Sequence, residues 1–390
     1  MPESVLERLS DLLKGSSPIK VGVITSRVGP LDYYGKMQIQ GLELGIEYAT
    51  QGSGKVAGRP IRLLIEDDAS DPATGGQKAR ALIENAGVHI LQGCASSAVT
   101  IVVAQVAREY ERLLLVEPAA ADSITGAHFN RYLFRTGANV SQDAAAGGRY
   151  AVEYLGRTFC FIAPDYLWGH QSNAAWKRVV EAHGGQTLKE FLAPPQTTDF
   201  IPYLREILEI GPDVLVQSWA GAGYRQLFGD MRKLGVFGRI RVTGGLGDRE
   251  ARHALGLDAV GMVGIAKYSY LLPHNPVNDW LTARHIERHG EPPDLFTGGG
   301  FAAGVALVQA LNRTAGNPGA EALIPVMAGM SFEGPKGAYT FRPEDHQALQ
   351  PMYIVEMAPD PQHPWAIPKL IREMTPEETA PPLMLPAGRR

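Results

Sequence analysis

The chain has 390 residues, 45% of them hydrophobic and 20% charged, with 37 Lys and Arg against 41 Asp and Glu for a net charge of −4. At roughly 100–200 residues per domain this length suggests two domains, and the composition excludes disordered and fibrous chains. Basic residues are scattered, so a nucleic-acid backbone finds no electrostatic footprint and no nucleic-acid partner is expected.

The start, Pro2 to Lys14 (PESVLERLSDLLK), is charged throughout and lacks a continuous apolar core, so it does not read as a secretory signal. Val5, Leu9, Leu12 and Leu13 share one helical face and predict a short amphipathic helix. After the break at Ser16-Ser17-Pro18, residues 19–25 (IKVGVIT) form a β-rich apolar run that suits a buried strand. A helix with Ile39, Leu42, Ile46 and Ala49 on one face follows, then a strand over 60–67 (PIRLLIED). Asp71-Pro72 supplies an N-cap and a first-turn proline for a helix through Ile83. Residues 88–92 are a third strand. Ser96 and Ser97 then cap a helix with Val99, Val102, Val103 and Val106 on one face, and 113–116 are a fourth strand. The rhythm restarts after Arg135-Thr136-Gly137: strand 159–163, helix 171–182, strand 214–217, helix 224–234, strand 240–242. Alternation of this kind predicts an α/β protein of two doubly wound parallel sheets in tandem. No membrane span is expected, on the reading that no uncharged apolar stretch approaches roughly 18 residues.

Enzyme signatures fail on context. Gly52-Ser-Gly54-x-x-Ala57 has the spelling of a dinucleotide loop, but it follows a helix and precedes a strand, the reverse of what phosphate binding needs. His285 and His289 can share a helical face, yet no third ligand is apparent and a solvated face is the economical reading. Asp67, Asp68 and Asp71 are better explained as a strand end and a cap than as a cation site. Cys94 and Cys160 are too few for a disulfide framework or a zinc site and read as buried thiols. Neither metal nor cofactor is expected, and catalysis is not the best reading.

Binding geometry remains. Gly93-Cys-Ala-Ser96-Ser97 runs from a strand end straight into a helix, where free N–H groups and a hydroxyl suit a carboxylate or amide oxygen. The alternative is that Ser96 or Ser97 merely caps the helix. Tyr33, Tyr34, Trp168 and Trp219 occupy other strand-end loops, where several rings facing one crevice would cover a small ligand.

These segments together resemble the type I periplasmic binding proteins, specifically the Leu/Ile/Val-binding branch, over about residues 19–357. IKVGVITSRVGPLDYYGKMQIQGLELGIE is similar to that family's first strand, loop and helix, and GRPIRLLIEDDASDPATGGQKARALIE to its second unit. YLFRTGANVSQ resembles the first crossover, FIAPDYLWG the opening of the second lobe, and FEGPKGAYTF the last return segment. The resemblance implies two lobes joined by three hinge crossovers near 135–139, 266–269 and 334–339. The first lobe would take 19–137 plus 268–333, the second 138–267 plus 334–375, flanked by an N-terminal extension (1–18) and a C-terminal tail (376–390).

The function so implied is the extracytoplasmic solute-binding component of an ABC importer of the branched-chain amino acid type. Its partners would be a small-molecule ligand (amino acid, amide or aromatic acid) and ABC permease subunits in the membrane. By resemblance, Tyr34 covers the ligand from the first lobe, Ser97 holds its carboxylate or amide, Ala119 offers a backbone group, and Trp168 walls the second lobe, with Trp219 near a further aromatic position. Two positions depart from the pattern. Ala121 stands where amino-acid binders usually carry a hydroxyl, and Thr243-Gly-Gly-Leu-Gly247 lacks the carboxylate that pairs with a ligand ammonium, unless Asp248 reaches. A buried ammonium without a partner costs several kcal/mol, so an uncharged, aromatic or branched small acid or amide is favoured, with Arg27 able to pair with its carboxylate. Glu117 at a strand end can accept from such a ligand or hydrogen-bond a crossover. A cytoplasmic ligand sensor of the same fold, like the amide-sensing regulators, is the alternative, and the absence of a signal-like start favours it.

Overall fold

The computed structural model describes residues 17–221, 223–246 and 249–386. The helix expected near Val5–Leu13 and the possible reach of Asp248 lie outside these residues.

The first half builds one sheet. Strands β1 (Ile19–Thr25), β2 (Lys55–Val56), β3 (Arg59–Asp67), β4 (Ile90–Gly93), β5 (Leu113–Val116) and β6 (Leu133–Arg135) run in the spatial order β2-β3-β1-β4-β5-β6. All neighbours are parallel except the β2–β3 hairpin. Their connections are α1 (Asp32–Ala49), α2 (Pro72–Glu84) and α3 (Ser97–Glu109). Asp71 caps α2 by accepting from the Thr74 N–H at 2.8 Å. Both sheet faces are apolar because both are covered: β4 and β5 are buried along their whole length.

After β6 the chain crosses to a second body. Asn139 and Gln142 form a reciprocal capping box that starts α4 (Val140–Tyr150). Strands β7 (Thr158–Pro164), β8 (Gln186–Ala193), β9 (Val214–Gln217) and β10 (Arg241–Gly244) make a second parallel sheet in the order β10-β9-β7-β8. The helices α5 (Leu167–Ala182), α6 (Ile201–Ile210), α7 (Tyr224–Lys233) and the short α8 (Arg249–Leu255) pack on it. The chain leaves through β11 (Val263–Ala266) and returns to the first lobe with α9 (Pro276–His289), α10 (Leu295–Arg313) and α11 (Ala320–Met327). The fold is therefore α/β, two parallel-sheet lobes joined by three crossovers.

Four expectations need correction. The run from 295 to 312 is uncharged and 18 residues long, so α10 is apolar enough to cross a membrane by composition. It is instead a core helix, mostly buried and packed against α1. Thr297 and Phe301 press their backbones against Gly41 and Gly45, where a Cβ would come within 2.1–2.2 Å of a carbonyl oxygen.

The third crossover also lies later than 334–339. β12 (Ser331–Gly334), β13 (Gly337–Phe341) and β14 (Ala348–Leu349) form a small antiparallel sheet whose Phe332, Tyr339, Phe341 and Ala348 belong to the first lobe's core. Only after Leu349 does the chain pass to β15 (Met352–Ala358), which pairs with β11 in the second lobe, and then to β16 (Ile367–Met374), which pairs with β15. His285 is the third: its ring is fully buried, with Nδ1 at 2.6 Å from the Glu291 carbonyl, rather than on a solvated face. Finally, α5 begins at Leu167 rather than 171, which puts Trp168 in its first turn.

Candidate functional site

A cavity of about 130 Å³ lies between the lobes at the carboxyl ends of both sheets. Two glycines set its aromatic walls by the same device in each half. At Gly35 a Cβ would sit 1.9 Å from the Ser26 carbonyl oxygen, and at Gly169 2.0 Å from that of Pro164. Only glycine lets each helix start that close over the strand end before it, and the aromatic residue preceding each glycine lines the cavity: Tyr34 in one lobe, Trp168 in the other.

The first-lobe wall is a stacked pair, Tyr34 on Phe296, with centroids 3.9 Å apart and planes at 24°. Phe296 stands at the head of α10, where Asp294 caps the helix through the Phe296 and Thr297 N–H groups. The second-lobe wall stacks Tyr166 and Trp168 at 6.2 Å, with Trp219 beside them, edge-on to Phe200 at 4.7 Å. Burial pushes the Tyr166 phenol up, so it stays protonated.

Polar groups enter at defined places. Ser96 is the N-cap of α3 by position, yet its side chain makes no capping bond, and both Ser96 and Ser97 line the cavity. The Ser97 Oγ accepts from the Ala121 N–H at 3.2 Å, which leaves its own proton to donate. Opposite, Ser172 donates to Ser218 at 2.8 Å. On the floor, the Lys267 ammonium of the second crossover pairs with Asp143 of α4 at 2.9 Å. Burial raises the Asp143 carboxyl against that ammonium's pull. Across the mouth the Tyr34 hydroxyl accepts from the Gly221 N–H at 2.8 Å, joining the lobes. Arg249 lies nearby, at 2.9 Å from Glu291 and with its guanidinium 5.6 Å from the Tyr33 ring centroid.

Of the residues expected here, Tyr34, Ser96, Ser97, Trp168 and Trp219 line this one cavity. Arg27 does not. It is exposed, its N–H is taken by Asp67 at 2.8 Å, and the loop after β1 turns it outward. Ala119 and Ala121 do not line it either, because the turn after Pro118 aims Ala120 inward instead. Their N–H groups are spent inside the lobe, Ala119 on the Cys94 carbonyl at 3.1 Å and Ala121 on Ser97. Sequence reasoning missed Phe296, Tyr166, Asp143 and Lys267. Among the described residues no His, Cys, Asp and Glu group can hold a metal ion, and Cys94 and Cys160 are buried free thiols.

A family model described as periplasmic binding protein matches residues 18–362. A solved structure from Rhodopseudomonas palustris, an ABC-type branched-chain amino acid transporter, is 36% identical with a TM-score of 0.82, covering 94% of this chain and 99% of that one. A solute-binding protein of an ABC transporter from the same species, in complex with 3,4-dihydroxybenzoic acid, is 24% identical with a TM-score of 0.85, covering 92% and 97%. The Leu/Ile/Val-binding protein homolog 6 of Brucella suis is 24% identical over 350 residues, 87% of each chain.

Proposed function

The chain belongs to the periplasmic binding protein family, and from that premise we propose that it is the extracytoplasmic solute-binding component of an ABC importer. Its ligand is a small aromatic carboxylate, held between the lobes and handed to permease subunits in the membrane. The observation that carries this reading is the slot itself. Stacked rings from one lobe face stacked rings from the other, with the donor-rich start of α3 at one edge. Flat apolar faces suit an aromatic ring, and a helix N-terminus with a serine hydroxyl suits its carboxylate. The neighbour bound to 3,4-dihydroxybenzoic acid supports the ligand class.

An α-amino acid fits less well. Asp143 is the carboxylate on the floor, and Lys267 already neutralises it. Closure follows from contacts with both lobes: a ligand that touches Tyr34 and Trp168 at once favours the closed arrangement by its differential affinity for it. Titration calorimetry with benzoate, 4-hydroxybenzoate, leucine and a short amide tests the assignment. Binding of an aromatic acid with leucine silent supports it; binding of leucine with the aromatic acids silent refutes it.

A further inference from the structure

Behind the aromatic slot lies a second cavity of about 40 Å³, bordered by Pro118, Lys267, Leu295 and Phe296, which border the slot as well. Its lining is mostly apolar, and the polar groups that enter it come from the crossovers and their neighbours. Glu117 stands at the end of β5, Lys336 in the turn between β12 and β13, and Thr136 and Gln350 on the first and third crossovers. Glu117 and Lys336 are only 5% and 6% exposed. Lys336 donates to the Pro351 carbonyl at 2.8 Å. Gly299 and Gly137 make room for the Glu117 carboxyl, since a Cβ on either would fall 2.1 or 2.6 Å from its oxygens.

Two buried carboxylate oxygens flank Lys267 without a hydrogen-bond partner: Asp143 Oδ1 on the slot side and Glu117 Oε2 in the chamber. Orphaned acceptors of this kind are costly, and a ligand that satisfies them gains specificity from them. Resting on the aromatic-carboxylate reading, we propose that this chamber is a subsite for a hydroxyl group on the ligand, carried on the ring away from the carboxylate. Charge argues for a neutral group. Lys267 is already paired with Asp143, and burial pushes the Glu117 carboxyl up and the Lys336 ammonium down, both to about 7, so the chamber offers no full charge to a second carboxylate or to an ammonium. A hydroxyl also suits Glu117 in either protonation state, because it both donates and accepts. That matters here, since burial pushes the Glu117 carboxyl up to about 7.

The test is calorimetry on the full chain with benzoate, 4-hydroxybenzoate, 4-methylbenzoate and the 1,4-dicarboxylate terephthalate. 4-Hydroxybenzoate is expected to bind about tenfold or more tighter than its methyl isostere, and terephthalate weakest of the four. In Glu117→Met that preference, read as the ratio of the 4-methylbenzoate and 4-hydroxybenzoate dissociation constants, is expected to shrink to about threefold or less. If the variant does not fold, the wild-type series decides alone. Equal or tighter binding of 4-methylbenzoate, or a preference for terephthalate, overturns the hydroxyl subsite while leaving the aromatic-acid reading standing. An undiminished preference in Glu117→Met removes Glu117 and the chamber. Silence from all four solutes overturns the aromatic-acid reading and the subsite with it.

Discussion

Replacing Ser97 by alanine separates a ligand contact from an internal one. The Ser97 hydroxyl is almost fully buried, accepts one bond from the Ala121 N–H at 3.2 Å, and lines the cavity at the start of α3 with its own proton left to donate. Ser97→Ala therefore acts twice. In the unliganded protein it strands the Ala121 N–H, and that bond is long, so the loss of stability is about 1 kcal/mol. In the proposed complex it would also remove the donor to the carboxylate, a charged acceptor in a water-poor cleft, which adds about 1–3 kcal/mol of lost binding. At about 1.4 kcal/mol per factor of ten, the dissociation constant should rise by about 5- to 150-fold. Calorimetry with 4-hydroxybenzoate reads the second effect and urea unfolding of the unliganded chain reads the first. A lowered stability with an unchanged dissociation constant would refute the reasoning, because Ser97 would then serve only the turn at Ala121.

Three further outcomes follow from the same geometry. Tyr34→Phe keeps the stack on Phe296 but removes the acceptor for the Gly221 N–H, so closure should weaken by about 0.5–1.5 kcal/mol, or about 2- to 13-fold in affinity. Solution scattering should show a larger open fraction at equal ligand; an unaltered affinity and an unaltered profile would discount the latch. Gly45→Ala would drive a methyl to 2.2 Å from the Phe301 carbonyl oxygen in the α1–α10 seam, so the chain should lose about 1–3 kcal/mol of stability in urea, and no loss would contradict that seam. Glu117 carries a pH dependence. Its carboxyl rises from 4.5 to about 7 on burial, so the folded state holds its proton where the unfolded state has lost it. Over roughly pH 4.5 to 7 its contribution makes stability fall as pH rises. Glu117→Gln should flatten that part of the stability profile, and a profile identical to wild type would remove the carboxyl as its cause.

Where local pattern sufficed, the sequence was legible. The strand over 19–25, the Asp71-Pro72 helix start and the alternation of strands and helices all rest on neighbours in the chain, and all appear. Tyr34 and Trp168 were legible for a related reason: each precedes a glycine that a strand–loop–helix corner requires. What stayed hidden depends on distant partners. Asp143 and Lys267 meet across 124 positions of sequence, and Phe296 becomes a wall only because α10 docks along α1. The hairpin of β12 and β13 carries Phe332, Tyr339 and Phe341 into the first lobe, and no local signal distinguishes which core receives them. Arg27 reads as a cleft residue by its place after β1, but the bond from its N–H to Asp67 turns that loop away.

The most direct measurement is a crystal structure grown with 4-hydroxybenzoate. The account predicts the ring between the Tyr34–Phe296 pair and Trp168, with its carboxylate against Ser97 and the two lobes closed on it. A ring seated anywhere outside this cleft, or a carboxylate turned from Ser97 toward Lys267, would contradict it.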